Sequence, residues 1–344
     1  MNIKEGTPLA VLKERDKYKA IIIGLGRIGF SYDENKNKNS NPRSHLGSIL
    51  ANNAFSEICG VDVNTSIHGR IKKIFTDSRL YVLDHIPIEK RFDVGVISTP
   101  SEFREDVIKE VIKCQIKVLI IEKPLSLTLE EAFRIKKILS PDYITVRVNF
   151  HRRFDPEYIK LKPMLTADLP KMVLLKYCKG VLNYGVHHID LLIDWFGEVE
   201  TVNAIDRNVT NLDRSLSFSC IMKSGLQVVV LGVDEIDYDQ FEMEIFYKDS
   251  KVSFKNGGRN KTISHGEKDR YFKGYKHLGD PKNLLETNGL HGLENLYSSI
   301  VENLSIGDEL YGCEIEEAIY GLKVIHALEK SAKNNCLPQK VTPT

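Results

Sequence analysis

Apolar residues along this chain fall into two successive patterns. The first begins with Ala20-Ile21-Ile22-Ile23, a short β-branched run that ends at Gly24 and predicts a buried parallel strand feeding a tight turn. Comparable runs follow at Ser56–Val63, Val94–Ile97, Val118–Ile121 and Ile144–Val148. Helix-like stretches separate them. Over Arg104–Cys114, Val107, Val111 and Cys114 share one helical face, and the segment after Thr128 has the same character. Strands alternating with helices predict an α/β domain on a parallel sheet, spanning residues 19–150.

Beyond Phe154 the apolar period drops to two, at Lys171–Cys178, Leu216–Met222, Gln227–Val233 and Phe241–Phe246. That alternation predicts a large open, mostly antiparallel sheet with one wet face. Helical spacing returns over 290–334, where Leu293, Leu296, Ile300 and Leu304 form one stripe and Ala318, Leu322, Ile325 and Leu328 another. The second domain, 151–344, is therefore expected to be α+β. Residues 1–18 form a polar extension, expected to be frayed.

Size and charge narrow the function without naming it. A chain of 344 residues is long enough for two cores. Its 48 Lys and Arg against 47 Asp and Glu leave a net charge of +1, so no overall field recruits nucleic acid or membrane, and neither is an expected partner. No stretch approaches the roughly 20 apolar residues that span a bilayer. The first residues also lack the apolar centre of a signal peptide, so a soluble cytoplasmic protein is expected. Six scattered cysteines without CxxC pairs predict reduced thiols and no metal site.

Candidate chemistry starts where the first strand ends. Gly24-Leu25-Gly26-Arg27-Ile28-Gly29 is a GxGxxG directly after a strand, the setting in which three glycines permit a tight turn, close approach to a pyrophosphate and close packing of helix on strand. Asp62, at the end of the second strand, can accept both hydroxyls of a ribose and would repel a 2′-phosphate. Domain 19–150 is thus expected to bind a dinucleotide, NAD in preference to NADP. Asp62 stands 33 positions beyond Gly29, farther than usual, and the Asn/Lys-rich run 33–41 is read as an insertion, with the helix resuming over Ser44–Asn52.

Four further segments carry a resemblance: Ile120-Ile121-Glu122-Lys123-Pro124-Leu125, Ser98-Thr99-Pro100, Asn149-Phe150-His151-Arg152-Arg153-Phe154-Asp155-Pro156 and Gly185-Val186-His187-His188-Ile189-Asp190-Leu191. Respectively they resemble the EKP motif, the ATPN turn, the N-x-x-R-F-x-P segment and the GxHxxD helix of the glucose-fructose oxidoreductase, inositol dehydrogenase and MocA family. The resemblance implies a Rossmann domain joined to an open-sheet domain that binds substrate and forms oligomers. It implies hydride exchange between nicotinamide and a secondary alcohol of a sugar, polyol or nucleotide sugar, and a homodimer or homotetramer.

Carried residue by residue, it makes Lys123, His187 and Asn183 the catalytic candidates. Gly24, Gly26, Arg27, Ile28, Gly29, Asp62, Ser98, Thr99, Pro100, Glu122 and Lys123 become candidates for cofactor binding. Lys123, Asn149, Arg152, Arg153, Asn183 and His187 are the substrate-binding candidates. Physical chemistry supports Lys123 on its own account, because an ammonium at the carboxyl end of a buried strand can steady alkoxide character as hydride leaves. His187 lies four residues after Asn183, so the two are expected on one helical face. The family often has Asp at position 183, and an amide there makes His187 a weaker base. Arg104 replaces a family histidine, Asp190 is expected to cap or brace, and His188 to pack. Lys179 faces either the cleft or water. Arg152 or Arg153 could fork on to a phosphate or carboxylate, which favours a nucleotide or phosphorylated sugar. Two rivals remain: a catalytically weak cofactor-binding regulator or scaffold of the same fold, and a nonredox enzyme with tightly held NAD.

Overall fold

The computed structural model describes residues 17–35, 40–139, 144–206, 213–285 and 292–342. The extension 1–18 therefore lies almost wholly outside the described residues, as do positions 36–39 of the Asn/Lys-rich run.

The β-branched runs form strands β1 (Tyr18–Ile23), β2 (Phe55–Val61), β3 (Leu80–Leu83), β4 (Val94–Ile97), β5 (Val118–Glu122) and β6 (Thr145–Asn149). They pair in parallel in the order β3-β2-β1-β4-β5-β6. Helices α1 (His45–Ala51), α2 (Ser66–Ile74), α3 (Arg104–Val111) and α4 (Leu129–Ile138) connect them. Every residue of β4 and β5 is buried, as near-continuous apolar runs covered on both faces must be. Strand β3 carries no such run; its four residues are all half-buried at the sheet edge, so the sequence pattern passed it over.

The inserted loop is built into the first helix. After Gly26 the chain makes one turn, with Phe30 N–H donating to Gly26 O at 2.9 Å. It then leaves, and on its return His45 N–H donates to Ile28 O at 2.9 Å and Leu46 N–H to Gly29 O at 3.0 Å, so α1 continues the interrupted turn. Buried Asp33 closes the excursion by accepting from Arg43 N–H, Ser44 N–H and Ser44 Oγ. Ser44 in turn caps α1 by accepting from Gly47 N–H. Gly47 is the residue that fits there, since a Cβ would lie 2.1 Å from Asp33 Oδ2.

In the second domain, α5 (Pro156–Thr166), α6 (Val186–Phe196), α7 (Gly292–Ile306) and α8 (Ile315–Lys333) accompany a ten-stranded sheet. Its strands are β7 (Met172–Tyr177), β8 (Val199–Ala204), β9 (Phe218–Met222), β10 (Gln227–Gly232), β11 (Phe241–Phe246), β12 (Ser250–Lys255), β13 (Asn260–Lys268), β14 (Lys276–Leu278), β15 (Lys282–Asn283) and β16 (Gln339–Lys340). The order is β14-β13-β12-β11-β7-β10-β9-β8-β16, with β15 on β13. Pairing is antiparallel except between β7 and β10, whose crossover runs through α6 and two further strands. Alternating burial along β7 and β11 gives one face to the core and one to water. Helix α7 reaches back to pack Leu296, Tyr297 and Ile300 into the same cluster as Ile22, Phe30 and Leu46 of the first domain. Among the described residues, no helix is long and apolar enough to cross a membrane.

Candidate functional site

The glycine turn is shaped by what it must avoid. Gly24 has φ +90, and a Cβ there would lie 2.7 Å from Thr99 N; a Cβ on Gly29 would lie 2.1 Å from Gly24 O. Nothing lies within 4 Å of a Cβ built on Gly26, so the space above that residue is open. Ser98 Oγ donates to Gly24 O at 2.6 Å, tying the β4 turn to the β1 turn, and Thr99 and Pro100 follow it along the same edge. Among the described residues no backbone carbonyl accepts from the N–H groups of Gly26, Arg27, Ile28 or Gly29. Half-buried Asp62 accepts from Leu25 N–H at 2.7 Å and from Asn64 N–H at 2.8 Å, one bond per oxygen, which leaves lone pairs for two ribose hydroxyls. Free N–H groups, open space and a fixed carboxylate fit a dinucleotide.

Lys123 stands at the carboxyl end of β5. Its Nζ donates to Asn183 O at 2.6 Å and to Asn183 Oδ1 at 3.1 Å. Burial lowers its pKa and Arg104 and Arg152 push the same way, while Glu122 opposes them. Arg104, the residue in the place of a histidine, is buried and clamps the local backbone: it donates to Pro124 O and, at 3.2 Å, to Thr99 O, joining the turns after β4 and β5. The Lys123–Pro124 peptide bond is cis.

Glu122 faces inward. Its Oε1 accepts from His45 Nε2 at 2.9 Å and from Asn149 Nδ2 at 2.6 Å, and Tyr297 of α7 bonds His45 Nδ1 at 2.6 Å. With Nε2 donating to the carboxylate, Nδ1 accepts from the phenol. Burial works against the charge on Glu122, but His45, Asn149 and Lys123 hold its carboxyl below the ordinary range. A chain of buried polar groups thus runs from α7 to the residue before Lys123. His45 and Tyr297 gave no sequence signal, because their meaning depends on the looped-out insertion and the returning helix.

Asn183 lies in a widened turn ahead of α6, where Gly185 N–H reaches back five residues to Gly180 O at 3.0 Å. That widening alters the simple four-residue geometry expected for Asn183 and His187. Asn183 bonds Lys123, and its Nδ2 donates to Lys179 O at 3.1 Å; the imidazole of His187 is not among its partners. His187 is buried with Nδ1 unpartnered, and its ring meets Phe150, His151 and Tyr184 edge-on. Burial, then Arg152 and Lys123, hold it well below the usual imidazole range, so it is neutral at neutral pH. His188 stacks on Phe241 with ring centroids 3.8 Å apart and bonds Lys176 O. Exposed Lys179 pairs with Asp239 at 2.8 Å.

The two arginines have separate fates. Arg153 Nε donates to Asp190 at 3.0 Å, and its other nitrogens pair with Asp190, Asp194 and Glu317. It is a buried brace between the turn after β6, α6 and α8. Arg152 is only 5% exposed, stacks its guanidinium 3.6 Å from the Phe241 ring centroid, and leaves Nε and Nη1 buried without a hydrogen-bond partner. Asp239 feels the charge of this guanidinium, but two buried N–H-bearing nitrogens without an acceptor are costly until a further acceptor joins them.

Comparison with known proteins agrees with the fold that carries these residues. Residues 18–150 match the Gfo/Idh/MocA oxidoreductase family, described by its NAD-binding Rossmann fold. Over 215 residues the chain is 27% identical to scyllo-inositol 2-dehydrogenase (NAD(+)) of Bacillus subtilis; the match covers 56% of this chain and spans 58% of that relative's length. Among solved structures, UDP-N-acetylglucosamine 3-dehydrogenase GnnA of Acidithiobacillus ferrooxidans superposes with a TM-score of 0.68 at 15% identity, covering 92% of this chain and 99% of that one. The transcriptional regulator Gal80p of Kluyveromyces lactis superposes with a TM-score of 0.74 at 13% identity, covering 94% and 91%. The parallel Rossmann sheet and the open second sheet follow the fold of these solved structures. Residues 18–150 therefore carry an NAD-binding Rossmann domain like that of the glucose-fructose oxidoreductase, inositol dehydrogenase and MocA family of oxidoreductases.

Proposed function

We propose that this chain is an NAD-dependent dehydrogenase exchanging hydride with a secondary alcohol of a sugar, polyol or nucleotide sugar, and that its preferred substrate carries an anionic group. The observation that carries this reading is the gathering of Lys123, neutral His187 and Arg152, whose Nε and Nη1 lack an acceptor, at the carboxyl ends of β5 and β6. NAD, when bound, supplies a hydride acceptor at the nicotinamide. Lys123 Nζ donates a hydrogen bond to the reacting hydroxyl and steadies its oxygen as negative charge develops. Neutral His187 takes up and relays the hydroxyl proton. Asn183 holds the ammonium in place through two oxygens. Gly26 to Gly29 would cradle the pyrophosphate, Asp62 the adenosine ribose, and Ser98 to Pro100 the near edge of the cofactor. The scyllo-inositol relative and the UDP-N-acetylglucosamine neighbour are both named for ring alcohols, which supports the substrate class.

The test is to mix the protein with NAD and a panel of polyols, sugar acids, sugar phosphates and nucleotide sugars, following absorbance of the reduced cofactor. Turnover confined to anionic members is expected. Arg152→Ala should then raise KM for the anionic substrate about 10- to 100-fold, the effect of one charge-assisted contact, with little change toward neutral polyols. Asp62→Ala should narrow the preference for NAD over NADP, read from the two dissociation constants; equal affinity of the unaltered protein for both would remove Asp62 from its role.

A second reading, a cofactor-binding regulator or scaffold of this fold, is favoured by Asn183, which brings no carboxylate to His187, and by the likeness to Gal80p. Cofactor binding without turnover across the whole panel would select it.

A further inference from the structure

The charges around Lys123 do not balance on the residues described so far. Arg104 and Arg152 both act on it, and neutral His187 and His151 add no negative charge. Glu122 is the main opposing charge, but it is a single carboxylate set against two guanidinium groups, and it is fixed on His45 and Asn149. Asn183 touches the ammonium directly and is uncharged.

A carboxylate does reach the site from a different element. Asp213, in the connection between β8 and β9, lies on an exposed segment but turns its carboxylate on to the widened turn. Its Oδ1 accepts from Leu182 N–H and its Oδ2 from Asn183 N–H, each at 2.9 Å. The contact is built in along its length. Val181 N–H donates to Arg214 O at 3.0 Å, and Gly180 N–H donates to Ser215 Oγ at 3.0 Å. Gly180 has φ +87, and a Cβ there would lie 2.2 Å from Asp213 Oδ2, so glycine is needed for the acid to enter. The adjacent cation is turned aside, because Arg214 Nε donates to Asp234 at 3.1 Å.

We propose that Asp213 is the positioning residue for Lys123, holding the Asn183 turn by its two backbone bonds and supplying the negative charge that residue 183 lacks. Asn183 itself has reason to be an amide. Its Nδ2 donates to Lys179 O, where a carboxylate oxygen would face a carbonyl, and its N–H already carries the Asp213 carboxylate. A second acid at 183 would crowd the first, so the charge of the site has moved from the turn to the loop beside it. Asp213 raises the proton affinity of Lys123 against burial and the two arginines, and Lys123 in turn favours the charged form of Asp213.

The importance of this contact rests on Lys123 acting on the substrate, but its test needs no turnover. Lysines of the whole protein are reductively methylated with carbon-13, and the Lys123 signal, identified by its loss in Lys123→Arg, is followed by NMR against pH in the free protein. Asp213→Asn removes the charge; Asp213→Ser removes it while keeping an oxygen for one N–H; Asp213→Glu restores it. The Lys123 midpoint is expected to fall in both the Asn and the Ser variants, in keeping with loss of a nearby opposite charge, and to return toward its starting value in the Glu variant. An unchanged midpoint in a folded Asn or Ser variant, whatever happens to thermal stability, would show that Asp213 is only a cap and would overturn the proposal. Lack of turnover with any sugar would count against the dehydrogenase and leave this result standing.

Discussion

Replacing Lys123 by Met is expected to lower kcat by about 10³-fold while leaving NADH binding close to unchanged, because the side chain works on the oxygen that gains charge and not on the bulk of the cofactor. Methionine fills similar volume, and the Arg104 clamp on the carbonyls of Pro124 and Thr99 does not depend on the lysine head. The fold should therefore survive, and fluorescence titration with NADH run beside steady-state kinetics separates the two effects. Loss of cofactor binding with kcat intact would move Lys123 from the chemistry to the cofactor. The variant also frees the carbonyl and amide oxygens of Asn183, so some local loosening of the turn before α6 should accompany it.

Arg153→Met should do the opposite: damage the fold first. Its guanidinium is almost wholly buried and faces Asp190, Asp194 and Glu317, of which the two aspartates are themselves buried. Lys162 remains on Asp194, but Asp190 is left without its cation. Removing one partner of such a buried group costs about 3–5 kcal/mol, a large part of the stability of an ordinary domain. The expected reading is a marked fall in the urea midpoint. The sign of its pH dependence follows. A carboxyl stranded in the interior has its folded pKa raised above the unfolded value, so the variant binds protons more tightly when folded and regains stability as pH falls through the carboxylate range. In the unaltered protein burial already pushes the Asp190 carboxyl up to about 6 against the pull of Arg153, so the same sign is expected there, with a larger gain in the variant.

Much of the architecture was legible because the physics behind it is local. Runs such as Ile21–Ile23 and Val118–Ile121 have one low-energy use in a chain of this composition, and alternation at Phe241–Phe246 marks a half-buried strand. The short or half-exposed strands β3, β14, β15 and β16 lack either property and could not be read. Motif spacing found Lys123 and the glycine turn. It left two arginines side by side, and only packing separated Arg153, ringed by acids, from Arg152, which has aromatic rings beside it and no acceptor on Nε or Nη1. Spacing also put Asn183 and His187 on one face, where the widened turn instead gives Asn183 to Lys123. Asp213 and His45 were out of reach altogether. One depends on a loop from between two later strands, the other on a helix resumed after an excursion, and neither relation is carried by neighbouring residues.

In the proposed mechanism an ammonium, an imidazole and a guanidinium share one reaction space with the nicotinamide. A crystal structure of the protein with NAD and the anionic sugar selected by the panel measures that directly. The nicotinamide is predicted between Lys123 and His187, with the reacting hydroxyl in hydrogen-bond reach of Lys123 Nζ and the anionic group on Arg152. A nicotinamide ring lying elsewhere, with Lys123 turned to solvent in the ternary complex, would contradict it.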